Sequence, residues 1–288
     1  MSSITPVEAG GVRGTAPARL RAFHGTRPLK RWRYVGVFCE ELMVCAARVQ
    51  VGVFRQSFWA LLCRTDGRLR ERTRTLVRRG AVRFGDPGVQ NGPASGCARL
   101  RVRDGDVLLD LLLEETPGIE AVCPHGREEV WTRKQAGIPA RGTLSLGGGA
   151  PRDIEALAVI DDTAGYHARH TEWWWSAGVG KSPDGTALAW NLVSGVNDPP
   201  RGSERAVWVA GAAHEAPPVS FAGDLSRVRC EDGSELRFTP EAERSRSENL
   251  LIVESDYQAP FGTFAGTLPG DLALAGGLGV VEHHRARW

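Results

Sequence analysis

Two short stretches hold most of the side chains that could do chemistry. In V-I-D-D-T-A-G-Y-H-A-R-H (159–170), which runs on into T-E-W-W-W, Asp161, Asp162, His167, His170 and Glu172 lie close together. Near the end, V-V-E-H-H supplies Glu282, His283 and His284. Imidazoles titrate near neutrality and burial lifts carboxylates toward the same range, so such a set suits general acid–base work. His167 and His170 with Glu282 or His284 would also meet the two-histidine, one-carboxylate pattern of a metal site. Against this, Asp-Asp-Thr before Gly is equally good turn chemistry, and single histidines often only hydrogen-bond. The expectation is a catalytic set of Asp161, His167, His170, Glu282 and His284, with no metal and no cofactor. No G-x-S-x-G nucleophile elbow is present, and no cysteine has a histidine beside it in sequence.

The three consecutive indoles, Trp173 to Trp175, ask for a wall rather than a loop, because Trp is large and its ring N–H needs a partner. In a strand, Trp173 and Trp175 share one face with Thr171, while Glu172, Trp174 and Ser176 share the other. The next run mixes the same types, with Trp190 on one face and Asn191 on the other. An apolar wall carrying a few polar groups is the usual make-up of a small-ligand site. Trp173, Trp175, Trp190, Asn191 and Glu172 are therefore the expected ligand-binding residues, the bland alternative being rings that merely fill a wide barrel. Gly180-Lys181-Ser182 imitates the end of a phosphate-binding loop, but Trp175 occupies the place of its first glycine and Pro183-Asp184-Gly185 makes a hairpin instead.

The elements that must carry these residues are strands. Helical periodicity is almost absent, and short β-branched or aromatic runs recur at 32–38, 42–51, 58–64, 107–114, 173–179, 187–194, 250–257, 261–268 and 277–284. Asp-Gly pairs at 66–67, 104–105, 184–185 and 232–233 separate such runs and favour tight hairpins. The expected class is all-β and antiparallel, with two barrel-like or sandwich halves packed together. R-G-T-L-S-L-G-G-G-A-P-R (141–152) suggests the division: an arm over 1–18, a first half over 19–148 and a second over 149–288. The halves are expected to fold as one unit. R-V-R-D-G-D-V-L (101–108) and R-V-R-C-E-D-G-S-E-L (227–236) hint at duplication, with coincidence as the alternative. R-L-R-E-R-T-R (68–74) projects four arginines from one strand face, read as a solvated outer face.

On the terminal strand, Glu282 and His284 share a face and His283 takes the other. The expected arrangement has Glu282 and His284 inward, near Asp161 or His167.

Composition narrows the class further. In 288 residues, 42% are hydrophobic, 24% charged, and the net charge is +2, which gives no electrostatic case for nucleic acid. Six cysteines without a C-x-x-C pair match no zinc module and read as reduced apolar fillers. With no secretory leader at the start and no run of eighteen apolar residues, a cytoplasmic protein without a membrane span is expected.

The run I-D-D-T-A-G-Y-H-A-R-H-T-E-W-W-W-S-A-G, then A-W-N-L-V-S-G-V-N-D-P-P-R-G-S-E-R-A-V-W-V, resembles the bacterial and fungal family catalogued as domain of unknown function 2804. R-F-G-D-P-G-V-Q, W-T-R-K-Q-A-G-I-P, F-G-T-F-A-G-T-L-P and the terminal V-E-H-H-R-A-R-W are similar to the same family, so the resemblance extends over about 20–288. It assigns no catalytic residue. At the level of fold the chain also resembles lipocalin-like double-barrel proteins such as carotenoid hydratases, tocopherol cyclase and cofactor-free pericyclases. That resemblance implies an apolar cavity and a greasy substrate. The function expected is a cofactor-independent hydratase, cyclase or isomerase acting on a hydrophobic small molecule. The alternatives are a non-catalytic protein binding a lipid-like ligand, or an interaction module with no cavity.

Overall fold

The computed structural model describes residues 20–75, 81–85, 96–250 and 253–287. Among these the regular elements are strands, in two large antiparallel sheets and one short hairpin. The first sheet runs Arg68–Thr75, Phe54–Cys63, Leu42–Val51, Lys30–Phe38, Arg152–Gly165, Glu128–Leu146, Val107–Glu114, Cys97–Asp104 and Val82–Gly85, with Ile119–His125 added on Glu128–Leu146. The second runs Ala212–Glu215, Ala206–Val209, Ala187–Ser194, His170–Lys181, Leu272–Arg287, Val253–Leu268, Glu235–Leu250, Arg227–Cys230 and Val219–Phe221. Each is a meander whose first long strand pairs with its last, and each curls into a half-barrel. The two sheets share this topology, and the 101–108 and 227–236 hairpins occupy equivalent places in it.

Alternation along the strands makes three cores from two sheets. Val35, Val37, Leu42, Val44 and Leu61 fill the first half-barrel. Leu188, Trp190, Leu192, Val207 and Phe264 fill the second. The intervening residues of both sheets meet in a middle layer: Tyr34, Phe38, Met43 and Leu62 from the first, and Trp175, Val193, Trp208, Phe261 and Val280 from the second.

The expected strands at 42–51, 107–114 and 187–194 match in their bounds. Three details are corrected. Leu250 ends the strand Glu235–Leu250, while residues 253–257 and the run at 261–268 belong to one strand, Val253–Leu268, with a register shift between Phe264 and Gly266. The Gly-rich stretch 141–152 is no boundary; it contains the tip of the hairpin between Glu128–Leu146 and Arg152–Gly165, inside the first sheet. The chain passes from one sheet to the other at 166–169, so the first half extends past 148. The strand Glu128–Leu146 is masked in the sequence by Gly137 and Pro139, yet Gly137 (φ +72°) sits in a bulge that lets the ladder continue. The expected arm at 1–18 lies outside the described residues.

The arginine stripe also departs from a purely solvated face. Arg72 and Arg74 pair with Asp104, a buried carboxylate that also accepts the Trp59 indole N–H at 3.1 Å. These contacts join the Arg68–Thr75 edge to the strand Cys97–Asp104.

Because the middle layer takes side chains from both sheets, separately produced 1–167 and 168–288 fragments are expected to be insoluble or aggregated. Each large apolar side chain left uncovered forfeits about 1.5–3 kcal/mol. Circular dichroism and light scattering of the fragments check this; two monomeric, cooperatively unfolding fragments would refute it.

Candidate functional site

The middle layer is apolar at its centre and polar toward one side, where the strands Lys30–Phe38, Arg152–Gly165, His170–Lys181, Val253–Leu268 and Leu272–Arg287 face one another. Trp32 and Trp173 stack there, with ring planes 10° apart and centroids at 6.3 Å. They come from opposite sheets, and each donates its indole N–H to a carboxylate of its own sheet. Trp32 Nε1 reaches Asp161 Oδ2 at 2.9 Å, and Trp173 Nε1 reaches Glu282 Oε1 at 2.8 Å. Both pairs follow from register: Trp32 stands opposite Thr163, two residues from Asp161, and Trp173 stands opposite His284, two residues from Glu282.

Glu282 is buried, and that burial pushes its carboxyl up to about 7, although hydrogen bonds from Trp173 and the Tyr257 hydroxyl pull the other way. Near neutral pH it is therefore poised between its acid and base forms, as a proton-transfer group must be. His284 packs edge-on to Trp173 at 4.2 Å and to Tyr257 at 5.5 Å, and its Nε2 lies 2.8 Å from Ser255 Oγ. Burial drops its pKa to about 3, so it stays neutral.

Behind Asp161 runs a buried polar chain. Lys134 Nζ lies 2.5 Å from Asp161 Oδ1 and 3.1 Å from Glu204 Oε1. Burial opposes its charge, but the two carboxylates outweigh that and hold the ammonium above its ordinary range. Burial pushes Glu204 up. Asn197 Nδ2 donates to Glu204 at 3.0 Å, and Asn197 Oδ1 lies 3.1 Å from His125 Nε2. His167 is 2% exposed, with its ring 5.1 Å from Trp32 and 5.0 Å from His125. Burial, reinforced by Lys30 and His125, drives its pKa well below the usual value, so it too is neutral. Neutral imidazoles packed on rings are poor general acids at neutral pH; the groups here held near neutrality are Glu282 and, beside His167, Lys30, whose ammonium pKa burial lowers to about 7.

The structure thus sorts the expected site residues. Asp161, His167, Trp173, Trp175, Asn191, Glu282 and His284 all belong to the layer between the sheets. Trp175 donates to Asn191 Oδ1 at 2.8 Å and packs edge-on to Tyr34 at 5.3 Å. Trp190 does not join them. It is fully buried in the second half-barrel, donates to Ser176 Oγ at 3.1 Å, and lies so close over Gly178 that a Cβ there would meet its ring at 2.4 Å. Glu172 is likewise on the far face, bonded to Arg285 at 2.7 Å and His283 at 2.9 Å, with His283 stacked on Trp174. His170 is exposed. It borders, with Glu172, Asp256 and Arg287, an open concavity of about 670 Å³ whose wall contains no tryptophan. These three residues are corrected as members of one tryptophan-lined site.

Sequence reasoning missed Trp32, Lys134, Glu204, Tyr257 and Arg244. One signal was available: in an arginine-rich chain, lysine stands only at 30, 134 and 181, and the first two are buried. Among the described residues no cluster of His, Cys, Asp and Glu has the geometry to hold a metal ion.

Similarity in the solved structures is one of fold. Kievitone hydratase from Nectria haematococca is 12% identical, with 88% of each chain covered and a TM-score of 0.57. A protein assigned as AttH from Nitrosomonas europaea is 14% identical, with 91% of this chain and 93% of that one covered and a TM-score of 0.51. Both share the all-β architecture of two packed antiparallel half-barrels. No curated protein sequence matches the chain. The family model that does match covers residues 94–288, less of the first half than the resemblance over 20–288 implies, and its signature includes the strands bearing Lys134, Asp161, Trp173 and Glu282: the chain belongs to DUF2804, a domain of unknown function.

Proposed function

We propose that the layer between the two sheets opens as a cleft for a hydrophobic small molecule, and that the protein carries out cofactor-independent proton-transfer chemistry there, of the hydratase, cyclase or isomerase type. The observation that carries this reading is the Trp173–Glu282 pair: a buried carboxyl with a pKa near 7, oriented by an indole N–H, beside partly exposed rings. Glu282 would deliver or remove the proton. The faces of Trp32 and Trp173 would hold the apolar skeleton and favour positive charge developing on it. Asp161, fixed by Trp32 and Lys134, would set the field and orient the first indole. The fold likeness to kievitone hydratase is compatible with this chemistry.

A second reading, a non-catalytic binder of a lipid-like molecule, is favoured by the same hydrogen bonds, since carboxylates satisfied by indole donors also serve purely as structure. The six cysteines are free, and burial pushes Cys45 to about 11 and Cys123 and Cys230 to about 12, which suits inert fillers in a reducing compartment such as the cytoplasm.

Native mass spectrometry of protein purified from its own host is the direct test, with Trp173→Ala as the control. A co-purified apolar compound is expected with the unaltered protein, and its occupancy is expected to fall at least about tenfold in the variant, the loss of one large aromatic contact. If that compound is converted by the unaltered protein but not by Glu282→Gln, the enzyme reading holds. Equal handling by both leaves only the binder.

A further inference from the structure

Arg244, on the strand Glu235–Leu250, is 4% exposed, yet no carboxylate lies within hydrogen-bond reach of it. Its guanidinium sits 4.2 Å from the centroid of Phe58 and 5.1 Å from that of Tyr257, clamped between a ring of each sheet. Nη2 donates to Thr73 Oγ1 at 2.8 Å. Nε finds no hydrogen-bond partner, its closest carboxylate oxygen being Glu71 Oε2 at 3.6 Å, on a side chain that is 42% exposed. Burial opposes the charge and the neighbouring groups outweigh it, yet a buried Nε–H without an acceptor is a donor that a ligand oxygen would satisfy.

Glu71 pairs loosely with Arg244 at 3.6 Å and the surroundings hold the guanidinium above its ordinary range, but the other ionisable neighbours add no full charge. Burial holds the Tyr257 and Tyr34 hydroxyls well above their usual values and Cys45 at about 11, so all three stay protonated. Glu282, at about 7, is half neutral at physiological pH and is already engaged by Trp173 and Tyr257. The position is continuous with the cleft: Tyr257 packs on His284, His284 on Trp173, and Trp173 on Trp32. Phe58, Tyr257, Trp173 and Trp32 are all only partly buried, which leaves ring surface for an apolar body.

We propose that Arg244 is the anion-recognition group of this cleft and that its ligand is an apolar molecule bearing a carboxylate. The inference rests on reading the inter-sheet layer as a ligand site and adds the substrate class. A planar guanidinium offers paired N–H donors that match a carboxylate's two oxygens, and clamping between rings fixes the fork in advance. The carboxylate would take the place beside Nε that the half-exposed Glu71 side chain approaches only loosely, displacing it toward solvent, and the chain or ring system would run along the indoles toward Glu282.

The test uses the full-length protein and two fluorescent probes, a dansylated long-chain fatty acid and its methyl ester. The unaltered protein is expected to bind the acid at least about tenfold more tightly than the ester, the usual margin of a charge-assisted hydrogen bond. Arg244→Gln should abolish that preference while ester affinity changes less than about threefold. Thr73→Val, which frees the guanidinium from its hydroxyl without removing it, should reduce the preference severalfold and covers the case in which Arg244→Gln fails to fold. Equal affinity for acid and ester in the unaltered protein overturns the role of Arg244 while leaving an apolar cleft intact. Binding of neither probe overturns the cleft reading together with it. An acid preference that survives in both variants places the anion site elsewhere and also refutes the proposal.

Discussion

Lys134→Met is expected to lower the unfolding free energy by about 3–5 kcal/mol, the usual cost of removing one partner from a buried ion pair. Lys134 is 3% exposed and is held between Asp161 and Glu204, so the substitution leaves two carboxylates buried without their shared cation. Methionine nearly preserves volume, and the loss is therefore electrostatic rather than a cavity effect. The deficit should be larger at pH 8 than at pH 5, because protonating one carboxylate at lower pH relieves the pair. Urea denaturation at the two pH values measures both quantities. A loss below about 1 kcal/mol would mean that the network is solvated in solution and contributes as little as a surface pair.

Glu282→Gln should act in the opposite direction on stability. The carboxyl titrates at about 7 in the folded protein against 4.5 for an ordinary glutamate. The folded state therefore retains a proton that the unfolded chain releases between those values, and stability falls as pH rises through that window. Below it, both states are protonated and there is no penalty; above about 7 the full cost remains, on the order of 3 kcal/mol. Glutamine is neutral throughout, so the variant is expected to match the unaltered protein at pH 4 and to exceed it by up to that amount at pH 8. Thermal or chemical denaturation across pH 4–8 checks the prediction, and a variant less stable than the parent at pH 8 would sink it. A gain in stability together with lost ligand turnover is the pattern of a group held in an unfavourable state for function.

The strands themselves were legible because their signal is local. A period of two placed Trp173 and Trp175 on one face and Trp174 on the other, and set Glu282 and His284 apart from His283; the structure shows the same division. Aspartate–glycine turns announced antiparallel hairpins, and the near absence of helical periodicity settled the all-β class. The glycine-rich stretch at 141–152 misled for the same local reason, since a hairpin tip and a boundary use the same residues.

What the sequence determined by itself is which side chains share a face within one strand. Which faces of different strands coincide is decided by register, and Trp190 shows the difference. It stands opposite Gly178, as Leu192 stands opposite Ser176, so it shares the Ser176 face and is carried into the second half-barrel; a slip of one residue would have set it beside Trp175. The pairing of Trp32 with Trp173, of Lys134 with Glu204, and of Arg244 with Phe58 spans long stretches of chain and two sheets. No pattern of short period encodes such contacts. They exist because two half-barrels, each with an apolar outer face, can cover those faces only by packing them together, and that packing draws the carboxylates, the lysine and the arginine out of water into one cluster.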